Sequence, residues 1–196
     1  LLETSNVLRP DNYPAGLVGS GVKICDIQTS NGIEKLAVIN LMGIYGMPMV
    51  ENPFNWAKKL VTNLQEQNIK NIFLDFHAEV TSEKRIMLMM FKNQISAICG
   101  THTHVGTDDL QIFENTAYLT DIGLTGCRDN VIGMDSKIPI QKVTTGIGGH
   151  FEVPNSCKSI LQMMVVDIED GKASSAFKIK KYCNNPKLFL SAAYID

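Results

Sequence analysis

Two short apolar runs, Ile72-Phe73-Leu74-Asp75-Phe76 and Ile95-Ser96-Ala97-Ile98-Cys99, flank a segment that carries helix-start signals. Runs that are apolar at almost every position belong to strands buried on both faces, and such strands sit in sheets covered by helices. Between them, Thr81, with Ser82 and Glu83 behind it, is expected to cap a helix running through Ile86–Phe91, the acidic Glu83 suiting the positive helix start. Upstream, Asn52-Pro53 opens another helix, with Asn52 as its cap and Pro53 at the first helical position, where the missing N–H costs nothing. Trp56, Leu60, Val61 and Leu64 then recur as a core-facing stripe.

Strand signals dominate the rest. Val22–Gln28 and Lys35–Leu41 read as a hairpin turning at Ser30-Asn31-Gly32, whose Asn-Gly pair tolerates positive φ. Leu110–Phe113 and Ala117–Thr120 are two more strands, joined by Glu114-Asn115-Thr116. Leu161–Ile168 and Ala176–Lys181 form a closing pair that turns at Glu169-Asp170-Gly171-Lys172. Gly43–Pro53 and Gly123–Gly133 read as loops, and Met87, Met89 and Met90 as core filling. The order strands, helix, strand, helix, strand, then mostly strands predicts a layered α/β fold with packed sheets and outer helices. At 196 residues, without internal repeats, the chain is expected to be a single domain spanning 1–196.

Charge and cysteine usage narrow the function classes. Lys+Arg number 18 against Asp+Glu 20, without the clustered basic excess of a nucleic-acid-coating surface. The short run Lys178-Ile179-Lys180-Lys181 reads as the solvated edge of a strand. No apolar stretch approaches the roughly 20 residues that cross a bilayer, and the opening Leu1–Asn6 lacks the pattern of a secretory signal. The five cysteines (Cys25, Cys99, Cys127, Cys157, Cys183) are odd in number and widely spaced, with no Cys-x-x-Cys pair. A disulfide framework is therefore not expected, and a reducing cytoplasm is the default location. The chain starts with Leu, which suggests a processed chain or a fragment.

Chemistry concentrates on histidine. Two of the four histidines form His102-x-His104, directly after an apolar strand and Gly100, and His77 ends the preceding apolar strand. In open α/β sheets, ligand sites lie at the C-terminal ends of strands. If these strands are parallel neighbours, three imidazoles converge at one sheet edge, and neutral imidazole is the commonest protein ligand for zinc, iron and manganese. Asp75, two residues before His77, either orients an imidazole N–H from behind or pairs with a core lysine or a backbone donor. His150 reads as a surface loop residue. Gly123-Leu124-Thr125-Gly126 and Gly146-Ile147-Gly148-Gly149 match neither phosphate-loop pattern, and no Gly-x-Ser-x-Gly elbow occurs.

Gly100-Thr101-His102-Thr103-His104 resembles the closing Gly-(x)-His-x-His motif of calcineurin-like metallophosphoesterases. Asp75-Phe76-His77-Ala78-Glu79, Thr81-Ser82-Glu83-Lys84, Gly100 to Thr107, Thr116 to Asp121 and Gly133-Met134-Asp135 are similar to the bacterial YmdB-type phosphodiesterase branch. Leu8 to Pro14 and Leu36 to Leu41 fit it as well. The likeness is dense from about Leu8 to about Asp135, and looser over the closing strands. It implies a β-sandwich flanked by helices, of which this chain is the C-terminal portion.

The resemblance also implies two metal ions, iron or manganese, with His77 and His102 on one and His104 on the other. It implies cytoplasmic hydrolysis of a cyclic nucleotide or other small phosphodiester, no membrane, and assembly into a homo-oligomer. The family's Gly-Asp, Asn-Gly-Glu-Asn and Gly-Asn-His segments, which supply the carboxylate and Asn ligands and the proton-donating His, are not among these residues. No catalytic residue beyond the metal ligands is therefore assigned. Gly106 departs from the longer polar side chain common in relatives, a change expected to touch the loop and not the ligands. Two other readings stand beside this one: a non-catalytic, metal-binding or regulatory module of the family, and a mononuclear hydrolase built on His102-x-His104.

Overall fold

Strands β1 (Val22–Thr29) and β2 (Gly32–Met42) pair antiparallel, in register from Val22–Ile39 to Thr29–Gly32. The computed structural model describes residues 9–30 and 32–195, so Leu8 and the hairpin residue Asn31 lie outside the described residues. Helix α1 (Pro53–Glu66) begins where Asn52 caps it, the Asn52 side chain accepting from the amides of Phe54 (3.1 Å) and Asn55 (3.0 Å). Its buried stripe is Pro53, Ala57, Val61 and Leu64, with Trp56 and Leu60 packed at the margin.

Strand β3 (Asn71–His77), helix α2 (Thr81–Phe91) and strand β4 (Ala97–Thr101) follow. Thr81 is the first helical residue and not the cap; Val80 holds the cap position, without a side-chain hydrogen bond. Glu83 turns inward instead, its Oε1 accepting from the Ile44 amide at 2.8 Å. Met87 and Leu88 are buried, but Met89 and Met90 are 41% and 39% exposed, so the methionines do not act as one block of core filling.

Strands β5 (Gln111–Phe113) and β6 (Thr116–Leu119) complete most of a seven-stranded sheet, which ends with β11 (Tyr194–Ile195) beside β5. Its order is β1-β2-β3-β4-β6-β5-β11, and β2, β3, β4 and β6 run parallel. Parallel neighbours need a crossover, which α1 supplies from β2 to β3, α2 from β3 to β4, and the loop with β5 from β4 to β6. A second sheet, in the order β10-β9-β8-β7, is antiparallel and consists of β7 (Gly126–Cys127), β8 (Ser159–Glu169), β9 (Lys172–Tyr182) and β10 (Leu188–Ala192).

Two cores result. Ala37, Ile39, Leu41, Ile72, Leu74 and Phe76 pack against α1 and α2 on one face of the large sheet. On the other face Ala97, Leu110, Ile112, Ala117 and Leu119 meet Ala173 and Ala176 of the second sheet. The layered α/β reading holds.

Three features depart from the sequence reading. The Lys178–Lys181 run sits in β9, an interior strand of the second sheet, and not on a solvated edge. Lys178 is buried there and donates to the Thr107 carbonyl at 2.8 Å, and burial, with Lys180 nearby, pushes its ammonium below the usual lysine range. Cys127 and Cys157 are joined by a disulfide, against the expectation of unpaired cysteines. A third helix, α3 (Lys137–Thr145), and the strand β10 were not anticipated. Helix α3 buries no residue, so it shows no apolar stripe for periodicity to reveal. Among the described residues, no helix is long and apolar enough to cross a membrane.

Candidate metal centre

The parallel register of β3 and β4 sets His77 directly beside Thr101, at the C-terminal ends of both strands. Gly100 lets β4 reach this position: a Cβ there would stand 1.7 Å from the Thr120 carbonyl oxygen, so only glycine fits. Beyond Thr101 the chain turns through two histidines at positive φ, His102 at 113° and His104 at 60°. Non-glycine residues rarely occupy this region, at a cost of about 1–3 kcal/mol each, and they persist where the surroundings over-determine them. The loop amide between them is held from below: Asp121 accepts from the Thr103 amide at 3.0 Å and the Gly123 amide at 2.9 Å, and pairs with Lys84 Nζ at 2.9 Å. Burial alone would raise the Asp121 pKa, but these three donors outweigh it and hold the carboxyl below the usual range.

His77 Nε2 and His102 Nδ1 face each other at 3.0 Å, the rings perpendicular. Their outer nitrogens decide where the protons are. Asn40 Nδ2 donates to Asp75 Oδ2 (2.7 Å), and Thr101 Oγ1 donates to Asp75 Oδ1 (2.8 Å). The threonine hydroxyl, having given its proton to Asp75, accepts from His77 Nδ1 at 3.0 Å. His77 therefore keeps its proton on Nδ1 and a lone pair on Nε2. The Glu79 carboxylate accepts from His102 Nε2 at 3.0 Å, so in the neutral imidazole the lone pair is the one on Nδ1. Burial, reinforced by the neighbouring His102 ring, holds the His77 pKa below the ordinary histidine value and favours the neutral ligand form. Asp75 is raised, because burial outweighs the donors around it.

With both rings neutral, two lone pairs converge on one point where a cation would join them, and neutral imidazoles steered by carboxylate, hydroxyl or carbonyl partners are the usual way proteins hold transition metals. His104 follows the same pattern: its Nδ1 donates to the Ile132 carbonyl at 2.8 Å, leaving Nε2 as the free donor atom. It does not share one tight shell with the pair. Among the described residues, the one trio of ligand atoms all within 4.8 Å of one another is Cys127, Asp129 and Cys157. His150 is exposed in the loop after α3. Cys99 is buried, its thiol pushed up to about 12 by desolvation, and it is inert as a nucleophile.

Asp75 differs from both roles expected of it: it accepts from the Thr101 and Asn40 side chains and reaches His77 only through the Thr101 hydroxyl. Glu79, Thr101, Asn40 and Ile132 were missed from sequence. Glu79 and Thr101 lie inside the histidine motifs, and a carboxylate or hydroxyl beside a candidate ligand was the available signal. Asn40 and Ile132 arrive from distant strands and loops, and only the register brings them in.

The family described as YmdB-like protein matches residues 1–181. A Bacillus subtilis (strain 168) protein named 2',3'-cyclic-nucleotide 2'-phosphodiesterase is 39% identical over 184 residues, covering 93% of this chain and 67% of its own length. A Mycoplasma genitalium relative is 40% identical over 79% of this chain, but only 56% of its length is matched. The crystal structure of a hypothetical protein from Thermus thermophilus superimposes with a TM-score of 0.78 at 27% identity, over 98% of this chain and 70% of that one. A novel phosphatase of Mycoplasma pneumoniae does so with a TM-score of 0.70 at 28% identity, over 97% of this chain and 64% of that one. The chain thus spans between just over half and about two thirds of the curated relatives it matches.

Proposed function

The chain belongs to the YmdB-like family, and from that premise we propose that it carries the histidine half of a metal-dependent phosphodiesterase acting on cyclic nucleotides or other small phosphodiesters. The observation that carries the reading is His77 Nε2 and His102 Nδ1 turned toward each other at 3.0 Å, with Thr101 and Glu79 on their outer nitrogens. These two side chains would hold one ion, and His104, with Nε2 free, a second, iron or manganese in each case. When bound, two such cations offset the negative charge of a phosphodiester and lower the pKa of a water between them.

The chain's own part is positional. Asn40 holds Asp75, Asp75 holds Thr101, Thr101 holds His77, Glu79 holds His102, and the Lys84–Asp121 pair holds the backbone between His102 and His104. A second reading, a metal-binding module of the family without turnover, stands beside this one, and experiment separates the two. Cytoplasmic residence and self-association belong to the same proposal, and sedimentation of the purified chain tests the latter.

One experiment separates the readings. The chain is titrated with Mn²⁺ and assayed against a 2',3'-cyclic nucleotide and an activated diester. The same is done with a version lengthened at its amino terminus by the segment preceding the matched region of the B. subtilis relative. The expected result is Mn²⁺ binding by both and substantial turnover only by the longer one. In the longer protein, His104→Ala is expected to lose about 10²-fold or more in rate and His150→Ala almost nothing. If His77→Ala and His102→Ala leave Mn²⁺ binding unchanged, the proposal falls. Binding without turnover in the longer protein selects the module reading.

A further inference from the structure

From Arg128 through Leu161 no residue is buried, and α3, which lies within this stretch, contributes none to either core. A segment without buried apolar contacts has little local stability of its own. At its base the Cys127–Cys157 disulfide closes a loop with a sequence separation of 30. Apart from Ser159–Leu161, which are laddered into the second sheet, the ties are Arg128 N to Lys158 O (3.0 Å), Asp135 N to Glu152 O (2.8 Å), the Asp129 carboxylate accepting from Lys158 N (3.1 Å), and the Arg128 guanidinium over the Tyr182 ring (4.6 Å).

Five residues beyond Cys127 stands Ile132, whose carbonyl accepts from His104 Nδ1 at 2.8 Å. Its φ is +45°, a conformation that a β-branched residue adopts only when its surroundings impose it. Val131 and Met134 close the tight turn around it with reciprocal backbone bonds of 3.1 and 2.9 Å. An unburied segment therefore presents the carbonyl of a strained residue to a histidine of the site, and the disulfide cross-links its base.

We propose that Cys127 and Cys157 form a reversible thiol–disulfide site whose oxidised state fixes the Ile132 carbonyl on His104, and so fixes which ring nitrogen His104 presents to the metal centre. The last clause rests on the phosphodiesterase reading above; the clamp itself does not. Cys157 is exposed and Cys127 buried, which sets the order of events. The Cys157 thiolate attacks a low-molecular-weight disulfide such as oxidised glutathione and releases one small thiol. The Cys127 thiolate then attacks the Cys157 sulfur of the mixed disulfide and releases the second. Two electrons and two protons pass from the protein thiols to the small disulfide, and a dithiol reductant reverses both steps. In the reduced form Ile132 can relax from its strained φ, water replaces its carbonyl at His104, and the imidazole proton is free to occupy either nitrogen.

The test uses the chain labelled with ¹⁵N-histidine, equilibrated in oxidised or in reduced glutathione, with the thiol state verified by alkylation and mass measurement. Ring ¹⁵N–¹H correlation spectra with His104 neutral, amide exchange of residues 131–135 and Mn²⁺ affinity are read in each state. The oxidised chain is expected to hold His104 as the Nδ1–H tautomer. Reduction should mix the tautomers, speed exchange at 131–135 by about tenfold or more, and weaken Mn²⁺ at the His104 position by about tenfold, in the range seen when a ligand's supporting partner is lost. C127S/C157S should resemble the reduced chain in both buffers, and C183S should respond as wild type does; the reduced wild type supplies the same comparison without any substitution. Identical tautomer and exchange in both buffers would overturn the clamp, and so would a response that survives in C127S/C157S. A tautomer that follows the redox state in a chain that binds no Mn²⁺ would support the clamp and overturn only the metal reading.

Discussion

Thr101 has one hydroxyl proton and gives it to Asp75, which is why it can only accept from His77. Thr101→Val keeps the shape and removes that acceptor, so His77 loses what holds its proton on Nδ1. Mn²⁺ affinity measured by calorimetry is expected to fall 10- to 100-fold while the unfolding midpoint changes little. Glu79→Gln should cost less, because the Glu79 side chain is 55% exposed and water can replace it at His102 Nε2. A larger loss for Glu79→Gln than for Thr101→Val would contradict this ranking. At this scale the meeting of His77 and His102 was legible from sequence, because an alternating pair after an apolar strand and Gly100 is rare and positioned; His104, expected with them, stands outside their tight shell. Asn40 and Ile132 were not, since hydrogen bonds spanning 35 and 28 residues leave no local trace.

Strand and helix positions were read more completely than their ends. Strands β2, β3 and β4 announce themselves by apolar continuity, and α1 by its Asn52 cap, whereas α2 starts on Val80 without a side-chain cap and so offered a misleading Thr81. The elements around the site are locked by Lys84 of α2 and Asp121 beyond β6, each 1% exposed. Lys84→Met strands an ionised carboxylate in the interior and is expected to cost about 3–5 kcal/mol in urea unfolding at neutral pH. Asp121 also gives the pair a pH signature. Its folded pKa is depressed, so the unfolded chain takes up the proton first. The stabilisation is complete above the ordinary carboxylate range and is lost as pH falls through the depressed folded value. A Lys84→Met, Asp121→Leu double variant should therefore show a flatter stability curve below about pH 4 than the wild type. Parallel curves would mean that Asp121 does not carry the acid response.

Across the whole molecule, the large sheet was legible and the second sheet only partly, since β10 and the 128–158 segment bury too little to leave a pattern. The two sheets approach each other through small residues, Ala97 and Ala117 on one and Ala173 and Ala176 on the other. Hydrogen bonds tie them at several places: the Gly171 turn accepts from Ser96 Oγ at 2.8 Å and donates to Asn71 Oδ1 at 3.0 Å, Ala173 N donates to Asn115 O at 2.9 Å, and Lys178 Nζ reaches Thr107 O at 2.8 Å. Ala117→Leu would wedge this seam. Overpacking of this kind costs about 1–3 kcal/mol, which for a chain of this size lowers Tm by roughly 2–12 °C. The His77–His102 pair should be spared, because β3, β4 and the residues that steer both rings belong to the large sheet and its α2 connection. Mn²⁺ affinity of Ala117→Leu, measured well below its Tm, is therefore expected to stay within about threefold of wild type, a difference of under 1 kcal/mol. A loss as large as that of Thr101→Val would show that the second sheet shapes the pair, and that the site is a property of the sandwich and not of one sheet edge.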